Sequence, residues 1–168
     1  DLFQSGVEDR KGVRYLSAAS MAPGPSPLLV MKSMMKPWAA LSSTLFSTLY
    51  SITSRIDERY PCAPEKLADE IQRVLLQRFG RVPHPRANDG VVPFHSQLWG
   101  EVVWVGKGDH LDVLGHFRDE ERSMPPHVDW MTSGSGFSRN DFRTLVSAMV
   151  KGMLDEPHVT QPPLSNFD

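Results

Sequence analysis

The sequence has one cysteine, Cys62, in 168 residues. That excludes an internal disulfide and any cysteine-rich zinc motif, and leaves the redox compartment open. Neither sign of charge dominates: 18 lysines and arginines against 20 acidic residues give a formal net charge of -2, spread along the chain. The electrostatic footprint of a nucleic-acid binder is therefore missing, and no nucleic-acid partner is expected. No apolar run is long enough for a bilayer, so no transmembrane segment is expected. The first residues, Asp1-Leu2-Phe3-Gln4, include neither a methionine nor a basic segment followed by an apolar one. No signal peptide is visible; the expectation is a processed start or a stretch of a longer protein, with localisation undetermined. What is present, 40% apolar and 9% aromatic residues, is the composition of a globular domain of ordinary size.

Gly12 to Ala19 reads as a strand leading into a loop, uncharged enough for a covered parallel sheet. Pro23, Pro25 and Pro27 then break the chain. Beyond them, Leu28 to Lys36 and Trp38 to Arg55 are each long enough for a helix, with Leu41, Leu45, Leu49 and Ile52 as an approximate stripe. Residues 64–79 read as an amphipathic helix, with Pro64 in its first turn and Gly80 as its stop. A short helical piece is expected from Phe94 to Trp99. The best strand is Glu101-Val102-Val103-Trp104-Val105, ended by Gly106-Lys107-Gly108. Ser123 to Phe137 reads as loop. A last helix begins near Ser138, whose hydroxyl can cap with Asp141, and Phe142, Leu145, Val146, Met149, Met153 and Leu154 are expected on one face. Residues 157–168 read as a mobile tail.

Two loops concentrate the chemistry: Asn88-Asp89-Gly90-Val91-Val92-Pro93, and Gly108-Asp109-His110-Leu111-Asp112. One short helix and one strand separate them. In an α/β unit that spacing brings successive loops to the same edge of a parallel sheet, so Asp89 and His110 can meet. A carboxylate on one ring nitrogen of an imidazole fixes its tautomer, and the other nitrogen can then take the proton of a hydroxyl nucleophile. Taken singly, each motif has a plainer reading: Asn-Asp-Gly is commonly a turn, and a histidine after a strand is commonly incidental.

In this order and spacing, the two motifs resemble the end of a bacterial triacylglycerol lipase or related α/β-hydrolase-fold serine esterase. There the order is serine, acid, histidine, with the histidine after the last strand. The resemblance follows the elements from Gly12 to Leu154 but is motif-specific only at 88–93 and 106–117. It implies an α/β fold in which residues 1–156 form the C-terminal portion of an α/β-hydrolase domain. Residues 23–60 would be a helical cap-like insertion whose methionines and leucines line an acyl pocket, touch a lipid surface transiently or serve ordinary packing. It implies Asp89 as the acid and His110 as the histidine of a triad. It also implies that Asp112 stands where some such lipases place a calcium ligand, with Asp57 or Asp69 as a second oxygen donor and His116 nearby. No organic cofactor is implied.

The chain departs from the pattern in one large respect. No Gly-x-Ser-x-Gly precedes Asp89, and the oxyanion-hole backbone beside that elbow is missing as well. The near match Ser133-Gly134-Ser135-Gly136 follows His110, on the wrong side of the order, and reads as a flexible surface turn. The expectation is a carboxylic-ester hydrolase, with an acyl ester or lipid as substrate, whose serine lies outside this chain. These 168 residues alone are then expected to be inactive. The competing expectation is a non-catalytic α/β-hydrolase-like module for binding or dimerisation, with the apolar 23–60 stretch as its interface.

Overall fold

The computed structural model describes residues 10–27, 37–55, 67–119 and 129–154. They form a mixed α/β arrangement of two strands and three helices. Strand β1, Leu16–Met21, lies parallel to β2, Glu101–Lys107, with Leu16 opposite Glu101 and Met21 opposite Lys107. Between them in the chain come α1 (Pro37–Thr53), α2 (Asp69–Phe79) and a 3-10 turn at Phe94–Gln97. After β2 comes α3 (Arg139–Leu154).

Strand residues alternate faces, and that alternation divides the core. Ala19 and Val105 point to one side, where Leu67, Leu75 and Phe94 cover them with Ile71 and Phe79. Trp104 and Ala18 point to the other, against Phe117, Phe137, Leu145 and Phe142. Helix α2 therefore covers one face and α3 the other, as parallel strands require. A third cluster, Ala22, Phe46 and Met131 with Leu49, Tyr50 and Leu111, holds α1 over the loops beyond β1.

Strand β1 sits later than its sequence signal, and β2 starts where it was read but runs two residues further. β1 starts at Leu16 rather than Gly12, because Gly12 turns the chain at φ +84 and Val13 N–H bonds back to Arg10 O at 3.1 Å. It runs on through Ser20, whose N–H and C=O on the outer edge are both taken by the Gln97 side-chain amide, at 2.8 and 3.1 Å. Gln97 thus does for β1 what a further strand would do. β2 continues through Gly106 and Lys107, which pair with Ser20 and Met21.

Helix α2 begins at Asp69, not at 64. Ala68 is extended at ψ 142, and Leu67 is drawn into the core instead of joining the helix; Pro64 lies outside the described residues. Asp69 and Glu70 suit the positive end of the helix, and Gly80 closes it in the left-handed conformation. Helix α3 has the anticipated capping box. Ser138 N–H and Oγ bond Asp141 Oδ2 at 3.0 and 2.5 Å, and Asp141 N–H returns to Ser138 Oγ at 3.3 Å.

The buried face of α3 differs from expectation. Phe142, Leu145, Ala148 and Gly152 turn inward, whereas Met153 and Leu154 are 67% and 77% exposed. A Cβ on Gly152 would stand 2.8 Å from Val103 Cγ1, so a small residue is what lets this helix lie close on β2. Helix α1 matches the stretch Trp38 to Arg55, and the 3-10 turn falls within Phe94 to Trp99. The helix anticipated at 28–36 and the tail 157–168 lie outside the described residues.

Candidate functional site

The Asn88–Pro93 turn carries its own scaffold. Asn88 is fully buried: its Oδ1 accepts Gly90 N–H at 2.8 Å, and its Nδ2 donates to Ser54 Oγ at 2.9 Å and Arg86 O at 3.1 Å. Its carbonyl accepts Ala22 N–H at 2.9 Å, tying the turn to the end of β1. Gly90 adopts φ +96, a left-handed conformation disfavoured for any side chain, and its Cα faces the Phe46 ring. Within this turn Asp89 is buried. Its Oδ1 accepts Val91 N–H and Val92 N–H at 2.9 and 2.6 Å. Oδ2 is thereby aimed out of the turn.

What Oδ2 meets is His110. Nδ1 of the ring stands 2.9 Å from it, and His110 N–H donates to Asp89 O at the same distance, so backbone and side chain both tie the two loops together. The structure brings together the two residues that the sequence put 21 positions apart. A carboxylate oxygen accepts but does not donate, so the proton of this contact sits on Nδ1, and Nε2 is the nitrogen that faces away from Asp89. Asp89 has a side-chain exposure of 3% and His110 of 35%: the acid is sealed in while the imidazole reaches solvent. Among the described residues no hydroxyl hydrogen-bonds to Nε2.

The histidine turn is held by two buried carboxyl groups. Asp109 Oδ1 accepts Leu111 N–H and Asp112 N–H, and Asp112 Oδ2 accepts Asp109 N–H, each at 3.0 Å. This reciprocal box encloses His110. It is pinned from outside by Ser133 Oγ on Asp109 Oδ2 and Ser135 Oγ on Asp112 Oδ2, both at 2.6 Å. The Ser133–Gly136 stretch is therefore not a free surface turn: Ser133 is buried, and its hydroxyl is committed. Burial, with the neighbouring Asp112 charge adding to it, pushes Asp109 up to about 8; the Ser133 and Asp112 N–H hydrogen bonds oppose the shift without cancelling it. Asp112 and Asp129 are also raised, chiefly by burial.

The sequence reading missed this pinning. No local pattern marks it, because Gly134 and Gly136 turn the backbone at φ +72 and the two hydroxyls are brought together by those turns. Oδ2 of Asp112, the expected calcium ligand, accepts two donors, an N–H and a hydroxyl. Among the described residues no group of three or more His, Cys, Asp or Glu is arranged to hold a metal ion. Asp69 sits in the first turn of α2, His116 N–H bonds Leu111 O in the histidine turn, and Asp57 lies outside the described residues.

Comparison with known proteins gives no match: no family profile, no curated protein and no solved structure is significantly similar to this chain. Among the described residues no helix is long and apolar enough to cross a membrane.

Proposed function

We propose that Asp89 and His110 are the acid and the base of a serine-type carboxylic-ester hydrolase of the α/β-hydrolase fold. The observation that carries this is the 2.9 Å contact between Asp89 Oδ2 and His110 Nδ1, with the opposite side of the imidazole open. The nucleophile is a serine from outside these residues. Its hydroxyl passes its proton to Nε2 as the oxygen attacks the ester carbonyl. The imidazolium formed is stabilised by Asp89 and returns that proton to the departing alkoxide, leaving an acyl-serine. Water then repeats the two transfers, releases the acid and restores the serine. The uncharged helix α1, which exposes Trp38, Leu41, Leu45 and Ile52, supports an acyl or lipidic ester as substrate. It equally favours the second reading, a non-catalytic module with that helix as its interface.

The experiment is hydrolysis of short- and medium-chain p-nitrophenyl esters by the longest natural chain that contains this sequence. His110→Ala and Asp89→Ala should each lower kcat by about 10³-fold or more, with KM nearly constant. A rate unmoved by His110→Ala would overturn the hydrolase reading. Absence of labelling by a serine-directed phosphonate, together with self-association, would favour the binding module.

A further inference from the structure

A cavity of about 410 Å³ opens where the two strands end. Lys107, the last residue of β2, lines it together with Tyr50 of α1 and with Arg81 and His84 from the segment between α2 and the acid turn. Among the described residues no carboxylate lines it, although acidic residues outnumber basic ones in the chain, 20 to 18. Lys107 and Arg81 have no carboxylate partner among the described residues. His84 Nδ1 accepts the N–H of Arg86 at 3.1 Å, which places the ring proton on Nε2 and leaves that nitrogen a donor. The Tyr50 hydroxyl makes no hydrogen bond among the described residues, and burial raises its pKa, which keeps it protonated and able to donate.

An ammonium, a guanidinium, an imidazole N–H and a phenol thus line one cavity from three separate segments, and each can donate a hydrogen bond. A neutral ligand would leave the charges uncompensated, and a cation would be repelled. A ligand rich in acceptors and negatively charged satisfies all four, and the volume exceeds what an inorganic ion alone would fill. We propose that this cavity binds a small organic anion by its carboxylate or phosphate group. The site adjoins the acid turn without sharing its residues: Ala22, also on its wall, donates to Asn88 O beside Asp89. The inference holds whether or not the chain belongs to a hydrolase, because it concerns binding alone.

The test is titration of the ¹⁵N-labelled 168-residue chain at constant ionic strength, first with inorganic phosphate, then phenyl phosphate, benzoate and the neutral benzyl alcohol. Saturable amide shifts are expected at Gly24, Arg81, Val82, His84, Arg86 and Lys107 for the anions and not for the alcohol. Comparing phenyl phosphate with benzoate identifies which acidic group the site prefers. Lys107→Ala and Arg81→Ala should each weaken binding about tenfold, and Tyr50→Phe about threefold, with unchanged circular dichroism. Arg73→Ala, an exposed substitution on α2, should leave the affinity as it was. Shifts that fail to saturate, that occur equally with benzyl alcohol, or that survive loss of both Lys107 and Arg81 would overturn the proposal.

Discussion

Replacing Asp89 by asparagine exchanges one oxygen for an amide nitrogen and should move a proton across a ring. Oδ1 would still accept Val91 N–H and Val92 N–H, so the turn keeps its shape. The new amide, however, would present a donor to His110 Nδ1, which must then become the acceptor, and the ring proton shifts to Nε2. Imidazole ¹⁵N shifts of this chain should show Nδ1 protonated in the wild type and Nε2 protonated in Asp89→Asn; identical spectra would mean that Asp89 does not set the tautomer. Asp109 supports a second measurement. Its folded-state value of about 8 lies above that of an unfolded carboxyl. Between about pH 4 and 8 the folded chain therefore holds a proton that the unfolded chain has released, and stability falls as pH rises through this window. Asp109→Asn imitates the protonated group and should flatten that fall, read as urea midpoints at pH 5 and pH 9. An undiminished slope in the variant would assign the effect elsewhere. The Asp89–His110 pair was legible because both residues sit in turns with strong local signatures. The serine pinning was not, since its partners lie 24 and 23 positions away and Ser-Gly-Ser-Gly carries no local sign of burial.

Helix α1 was recognisable by its length and stripe, yet its role comes from a residue outside that stripe. Phe46 is fully buried, and its ring lies 3.2 Å from where a Cβ on Gly90 would stand, so the helix is fastened to the acid turn at this point. Of the residues in that stripe, Leu41, Leu45 and Ile52 are 63%, 48% and 55% exposed, and Leu49 alone packs against the Phe46 cluster. Periodicity located the helix; it could not say which of two apolar stripes turns inward, because that depends on what the surrounding loops offer. Phe46→Ala should cost about 3–5 kcal/mol and loosen the turn as well as the helix. Hydrogen exchange should then speed up at Gly90, Val91 and Val92, whereas the amides of α3 should change only through the global loss. Gly90→Ala attacks the same contact from the other side. Its left-handed backbone and the 3.2 Å approach to Phe46 predict a loss of about 1–3 kcal/mol in chemical denaturation.

At the scale of the molecule, the two-stranded parallel sheet is covered on both faces, and among the described residues two helices expose apolar side chains. Helix α1 exposes Trp38, Leu41, Leu45 and Ile52, and it carries no charged residue in 17 positions. Helix α3 exposes Val150, Met153 and Leu154, but on a helix that also presents Arg139, Asp141, Arg143 and Lys151. Contiguous apolar surface associates, and interspersed charge opposes association by demanding hydration. The difference between the two helices therefore decides where self-contact should start. Sedimentation velocity of the 168-residue chain should show association that grows with protein concentration. The double variant Leu41→Lys, Leu45→Lys should suppress it at unchanged helix content, because both side chains are already largely in solvent and their replacement removes little packing. Met153→Lys, on the helix that already carries charge, should have the smaller effect. A chain that stays monomeric throughout, or one whose association responds to Met153→Lys and not to the α1 pair, would show that the uncharged helix is not the sticky face. It would also remove the main support for an apolar substrate or partner at α1.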